Sequence, residues 1–405
     1  MRTYIHMCNV LNFNILVIIM KKFLFYLIFV NMSIFYVNSQ ASAQRVILFM
    51  IDGLHWEAPQ KANMPVFNRL AKEGTYIRKS YMIIPHHPTI GDYSKYNSCS
   101  FPNPVLHQGT IFLDPKNKMI QEIFSPAQQT AFIVNTVDYA SVGRGFSTCI
   151  MDDMLTDEQV VEYACNILNH QQPVFMRVHL QRPGQRGNDI SRSAPDSPYY
   201  RNIFAASSPY VEAVENADRL LGRFVQFLKD KNLWDGTVLI VTSDHGQSRI
   251  GWHSFFDEES WMTPLVFAGN AIAVGRELPY FEHTDIAPTI AGLLGKDGPA
   301  HNGGAGVFVK QILKNTDASG YAPVEYIKIM NRQILEFNRL RAGMIVLSKS
   351  DVYYGNVAAL LENETFIKPF AHQDRILEWY KTGNTAALIE LNETVLKQMR
   401  TILSQ

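Results

Sequence analysis

The chain has 405 residues, with 37 Lys plus Arg balancing 37 Asp plus Glu. That balance excludes a protein that holds nucleic-acid duplexes by bulk electrostatics, which needs a basic excess. A hydrophobic content of 47% excludes a disordered chain, and the length allows one large α/β domain with additions or two domains. Four cysteines are too few for a disulfide scaffold.

Residues 1–43 carry Arg2, Lys21 and Lys22 and no acidic residue. The two lysines precede an apolar run over residues 23–37 and then Ala41-Ser42-Ala43. These are the basic region, apolar region and A-x-A site of a secretory signal peptide, with Met20 as the expected start. The alternative is a membrane anchor, since residues 15–20 plus 23–37 are long enough to span if the lysines are tolerated. Cleavage takes the net charge to −3 and leaves no later stretch that could span a membrane. The mature protein is therefore expected to be exported, periplasmic or secreted. Cys8 goes with the leader. Cys99, Cys149 and Cys165 then allow at most one intramolecular bridge and one free thiol. With no C-x-x-C among them, all three are expected to serve packing.

From residue 44 onward strand and helix signals alternate. Arg45–Ile51 is an apolar run that delivers Asp52-Gly53 at its C-terminal end, a buried strand ending in a carboxylate. Residues 64–73 have helical spacing and stop at Gly74. Residues 131–135 and 174–180 read as strands, and 181–208 as a long polar loop, either a lid or a mobile surface segment. Residues 210–231 form an amphipathic helix. Thr237–Thr242 is a second buried strand, ending at Ser243-Asp244-His245-Gly246. A strand over 265–268 and a helix over 285–294, with Thr284 and Asp285 as its cap, complete the alternation. This pattern indicates a doubly wound α/β sheet with its site along one edge. After about residue 320 only helices are expected, at 324–341, 374–381 and Thr385–Leu403. The resulting organisation is a leader at 1–43, a catalytic domain at 44–310 and a helical C-terminal extension at 320–405.

The chemistry lies in three places: Asp52 after the first strand, Asp244-His245 after a later one, and Pro85-His86-His87-Pro88-Thr89 between them. Two carboxylates and an imidazole at strand ends suit a divalent cation, which takes O and N donors from a rigid scaffold. Against this, Asp52 reads equally as a turn residue before Gly53, and His245 as a satisfied buried histidine.

The stretches MIDG, Gly74-Thr75-Tyr76, PHHPT, SFPNPVLHQG, SDHG, ESWMTPL, HTDIAPT and LLG occur in one order. In that order they resemble the alkaline phosphatase superfamily, in particular its type I phosphodiesterase/nucleotide pyrophosphatase and sulfatase-like branches, over roughly residues 45–308. The resemblance implies an alkaline-phosphatase-like three-layer α/β/α sandwich with a mostly parallel sheet. It also implies a metal held by Asp52, Thr89, Asp244 and His245, with the Thr89 hydroxyl as nucleophile and Ser80, Ser94 and Ser98 as weaker substitutes. His253 resembles the downstream histidine of the ethanolamine-phosphate transferases, placed to contact the ester or protonate the leaving group. Arg182 and Arg186 are candidate anion contacts, and His86 and His87 flank the nucleophile.

The sequence also departs from the family. In two-zinc phosphodiesterases a second metal is held by a P-D-x-x-x-H pattern and a distant histidine. Here Gly184, Asn188 and Ala305 stand at those positions, so one Zn2+, or another single divalent cation, is expected unless His253, His283 or His301 rebuilds a site. The C/S-x-P-x-R pattern of formylglycine sulfatases is not met from Cys99 or Ser100, since Pro104 stands where the arginine belongs. The expected function is hydrolysis of a phosphoric ester, phosphodiesterase-like, on a small phosphate ester or a glycan- or lipid-linked ester. The alternatives are a phosphoethanolamine-type transferase, a sulfatase-like hydrolase, and a non-catalytic binding protein on the same scaffold. No duplex binding is expected, and the sequence sets no oligomeric state.

Overall fold

Strand β1, Arg45–Ile51, is buried at every position, as a strand covered on both faces must be. Its side chains alternate between two cores: Ile47, Phe49 and Ile51 enter one, and Val46, Leu48 and Met50 the other. The computed structural model describes residues 43–82, 118–254, 257–299, 306–364 and 385–404. Within them β1 belongs to a mixed sheet with β2 (Thr75–Tyr81), β3 (Thr130–Val134), β4 (Thr148–Met151), β5 (Phe175–Leu180), β6 (Thr237–Thr242), β7 (Met262–Ala268), β8 (Arg276–Glu277) and β9 (Phe281–Glu282). The order is β4-β3-β5-β1-β6-β7-β2-β8, with β9 also paired to β2. Strands β4, β3, β5, β1 and β6 run parallel, and β7 is antiparallel to both β6 and β2.

Helices α1 (Pro65–Glu73), α2 (Asp157–His170) and α4 (Pro209–Asp230) cover one face with Phe67, Leu70, Val160, Ala164, Leu220 and Phe224. Helix α5 (Ile286–Leu293) covers the other with Ile286 and Ile290. The expected three-layer α/β/α sandwich with a mostly parallel sheet is what forms. The C-terminal region is helical: α6 (Tyr326–Leu347), α7 (Val352–Glu364) and α8 (Thr385–Leu403), with Phe337, Met344, Val395, Leu396 and Met399 sharing a core of their own. It is tied to the sheet by polar contacts. Glu282 accepts from the Ile327 N–H (2.8 Å) and from the Tyr280 hydroxyl (2.6 Å), and Asn331 Nδ2 donates to the Met82 carbonyl (2.7 Å).

Four expectations need correction. The 181–208 segment opens with helix α3 (Arg182–Ser191); Pro183 in its first turn is preset for a helix start, where it spoils no hydrogen bond. Helix α2 was missed, although Thr156 and Gln159 form a reciprocal capping box (Gln159 N–H to Thr156 Oγ1, 3.3 Å; Thr156 N–H to Gln159 Oε1, 2.9 Å). Asp285 stands at the start of α5 without capping it; its carboxylate accepts from the Val307 and Glu282 N–H groups instead. Cys149 is exposed, so it is no packing residue, and it and Cys165 are both free. Residues 1–42, Cys99 and the helix expected at 374–381 lie outside the described residues. Among the described residues no helix is long and apolar enough to cross a membrane.

Phe49 is fully buried against Phe224, ring centroids 5.5 Å apart. Phe49→Ala is expected to cost about 3–5 kcal/mol in denaturant unfolding, because it leaves a cavity at the centre of the larger core.

Candidate metal centre at the strand ends

The register of three parallel strands builds the centre. Met50 of β1 lies opposite His179 of β5 and Thr242 of β6. Two residues further along each strand direction, Asp52 and Asp244 therefore emerge side by side at the C-terminal edge of the sheet. Gly53 then turns the chain with φ +60°, a conformation that favours glycine, and its N–H donates to Asp244 Oδ1 (3.2 Å). Ser243 braces the turn: its Oγ accepts from the Leu54 N–H (3.0 Å) and donates to the His245 carbonyl (2.6 Å). On the other side the Tyr139 hydroxyl donates to Asp244 Oδ2 (2.7 Å).

His245 completes the set. Its Nδ1 lies 2.8 Å from the Gly246 carbonyl oxygen, which can only accept, so Nδ1 carries a hydrogen. In the neutral ring Nε2 then presents a lone pair. That lone pair faces Asp244 Oδ2 at 3.3 Å and Asp52 Oδ1 at 4.0 Å. Two donors about 2.1 Å from a tetrahedral cation lie about 3.4 Å apart, so the His245–Asp244 spacing and the donor chemistry fit a divalent ion, with Asp52 the more distant carboxylate. Asp244 and His245 are 0% and 1% exposed, whereas Asp52 and His253 are 7% and 6%; the centre opens to solvent on the Asp52–His253 side. His253 packs its ring 4.2 Å from that of His245, with Trp252 stacked behind it at 4.1 Å.

Backbone stands where the family resemblance would put the first ligand of a second metal. A Cβ at Gly184 would lie 1.6 Å from Asp52 Oδ1, so the third residue of α3 can carry no side chain in this packing. His283 does not compensate, because its Nε2 is engaged by Ser80 Oγ (3.1 Å) and Thr263 Oγ1 (3.0 Å). A different cluster, His55, Glu57 and Glu259, also has metal-like spacing. There the Glu57 N–H donates into His55 Nδ1 (2.9 Å), which leaves the ring hydrogen on Nε2, facing Glu259 at 3.5 Å. Arg249 pairs with both glutamates and Lys61 with Glu57, so this cluster is already neutralised by protein cations.

Of the residues expected from sequence, the structure brings together Asp52, Asp244, His245 and His253. Arg182 and Arg186 lie on α3, Arg182 exposed and Arg186 paired with Asp189 at 2.8 Å. Thr89, His86, His87, Ser94, Ser98, His301 and Ala305 lie outside the described residues. Sequence reasoning missed three contributors: Tyr139, Arg177 and His179. The last two had a legible signal, since Arg177 and His179 are polar residues two apart in the otherwise apolar strand FMRVHL, and so share one face.

Two measurements check this geometry. Gly184→Ala is expected to abolish divalent-cation binding in calorimetry while far-ultraviolet circular dichroism stays native-like, since the new methyl displaces the Asp52 carboxylate. The second concerns Asp157, which accepts from Asn135 Nδ2 (2.8 Å) and the Arg182 N–H (3.4 Å). Burial pushes its carboxyl up to about 6. An acid raised on folding holds its proton more tightly in the native state, so its contribution is largest below about pH 4 and is lost as pH rises to about 6. Asp157→Asn is expected to remove that part of the pH dependence, on the order of 3 kcal/mol, from unfolding curves taken between pH 4 and 7.

Residues 88–296, just over half of the chain, match the family model described as Sulfatase. The multifunctional alkaline phosphatase superfamily protein PehA of Trinickia caryophylli is 35% identical over 98 residues, 22% of this chain and 19% of that protein. The choline-sulfatase of Rhizobium meliloti is 31% identical over 127 residues, 30% of this chain and 23% of that protein. This chain thus aligns with less than a quarter of the length of either. Among solved structures, the phosphonate monoester hydrolase of Agrobacterium radiobacter superposes with a TM-score of 0.55 at 16% identity, over 69% of this chain and 79% of that one. At that identity the match speaks to the fold alone.

Proposed function

This chain belongs to the sulfatase family of the alkaline phosphatase superfamily, and we propose that it is an exported, metal-dependent hydrolase of phosphoric esters, phosphodiesterase-like, acting on a small phosphate ester or a glycan- or lipid-linked ester. The observation that carries the metal dependence is His245, whose Nε2 lone pair is turned toward two buried carboxylates. That arrangement is repulsive until a cation sits among the three. Residues 44–310 are the catalytic domain, residues 320–405 a helical extension and residues 1–43 a leader removed on export.

A single Zn2+, or another divalent cation, held by Asp52, Asp244, His245 and Thr89 would neutralise part of the ester charge and acidify the threonine hydroxyl. The protein supplies the rest. Thr89 Oγ, its proton released to solvent, attacks phosphorus in line with the leaving group; the new P–O bond forms as the P–O bond to the leaving alcohol breaks. His253, at the open side of the centre, gives that alcohol its proton. Water then attacks the same phosphorus, giving one proton to His253, and the P–O bond to Thr89 breaks as its oxygen takes a proton back from solvent. His86, His87, Arg182 and Arg186 are assigned to the anionic oxygens, a role for fixed donors where only one metal is present.

The test is metal stoichiometry on the purified chain, together with turnover of aryl phosphate monoesters, diesters and aryl sulfates. One zinc per chain is expected, with diester turnover reduced at least about a thousandfold in Thr89→Ala. Two bound zincs would overturn the single-metal reading, and a metal-free, inactive chain would favour a binding protein. The likeness to choline-sulfatase favours one second reading, a sulfate-ester hydrolase; aryl sulfate turnover exceeding that of the diester would establish it in place of the first.

A further inference from the structure

Two histidines lie near the Asp52 and Asp244 carboxylates, and by spacing alone His179 is the better placed: ligand atoms of Asp52, His179 and Asp244 all lie within 4.8 Å of one another, while His245 Nε2 stands 3.3 Å from Asp244 and 4.0 Å from Asp52. Their hydrogen bonds separate them. Arg177 is completely buried, its guanidinium 4.8 Å from the centre of the Phe132 ring and 5.0 Å from that of Tyr139. Its Nη2 lies 2.7 Å from His179 Nδ1. A guanidinium only donates, so Nδ1 must accept, and the ring hydrogen of His179 resides on Nε2. That N–H faces Asp52 Oδ2 at 3.7 Å. Gln181 Nε2 stands 3.3 Å from the same nitrogen; two donors cannot face each other, so the amide is reversed and its oxygen shares this hydrogen with Asp52 Oδ2.

We propose that His179 is a positioning residue and not a metal ligand. Arg177 sets its tautomer, and its Nε2–H draws Asp52 Oδ2 away from the metal, leaving Oδ1, the oxygen on the His245 side, to bind. Tyr139 fixes the other carboxylate, holding Asp244 by the oxygen that faces His245 Nε2. Its ring packs 4.9 Å from that of His179, and its hydroxyl donates to Asp244 Oδ2. One stack of Phe132, Arg177 and Tyr139 beneath the sheet edge thus orients both acidic ligands, while His245, whose Nδ1–H goes to a carbonyl, is the imidazole that binds. Outer partners of this kind commonly change metal affinity by tenfold to a hundredfold.

This inference rests on the metal-centre reading above, and the experiment separates the two. The full chain is loaded with Zn2+, X-ray absorption fine structure counts the imidazoles bound, and chelator competition gives the affinity. One imidazole is expected in the wild type and none in His245→Ala. His179→Leu and Arg177→Met are expected to weaken Zn2+ binding about tenfold to a hundredfold without changing the count, and His179→Gln, which keeps an N–H donor, to recover most of the loss. Two imidazoles in the wild type, a count that falls in His179→Gln, or unaltered affinity in a folded His179→Leu would each overturn the assignment while leaving the metal centre standing. A wild-type chain that takes up no divalent cation would overturn the metal centre itself, and this inference with it. Because the wild-type count and the conservative His179→Gln variant are decisive, a misfolded His179→Leu does not shelter the proposal.

Discussion

Two buried carboxylates facing each other across adjacent parallel strands are the constraint around which the rest of the molecule is arranged. A carboxylate oxygen of Asp52 and one of Asp244 lie within 4.8 Å of one another, where like charges repel by on the order of 3 kcal/mol even at an effective dielectric constant of about 20. The fold cannot relieve this by separation, because β1 is held between β5 and β6 by a continuous register on both sides. It manages the charge locally instead. The Gly53 N–H and the Tyr139 hydroxyl donate to Asp244, and the His179 Nε2–H faces Asp52.

The two-sided burial of the sheet explains why this arrangement is rigid. Each strand that delivers a functional residue is anchored on both faces: Phe49 and Leu239 in one core, Leu48 and Ile240 in the other. The functional side chains begin where this apolar alternation stops, at Asp52 after β1 and Ser243-Asp244-His245 after β6. In β5 the polar residues come earlier, inside the strand. Arg177 and His179 share the face that carries Phe175, which is why they act from beneath the edge while the aspartates act on it.

The sequence made the centre legible where chemistry coincides with the end of an apolar run. Asp52, Asp244 and His245 each follow a short buried strand, and His253 follows at a motif spacing. The three-layer architecture was legible for a related reason, since fully apolar strands alternating with amphipathic helices have few other ways to bury their surfaces. Less was readable where tertiary contact decides. Gly184 and Gly187 made residues 182–191 look like a loop, yet those glycines permit a helix to press against Asp52 and Gln247. Tyr139 lies in a short turn with no periodicity of its own, and only the fold brings it to Asp244 across 105 positions. His55 illustrates the converse: metal-like spacing with Glu57 and Glu259 is undone by a single backbone hydrogen bond that the sequence does not disclose.

The contact between Gly184 and Asp52 also bears on how such a centre could change over evolutionary time. An aspartate at 184 is one codon change from glycine, but its Cβ would collide with a carboxylate already committed to the existing centre. Gain of a second metal would require α3 to withdraw first, which disturbs Gly53, Gln247 and the Asp157 contact to the Arg182 N–H in the same step. In this packing a metal-ligating side chain at position 184 needs a helix displacement, not a point substitution alone.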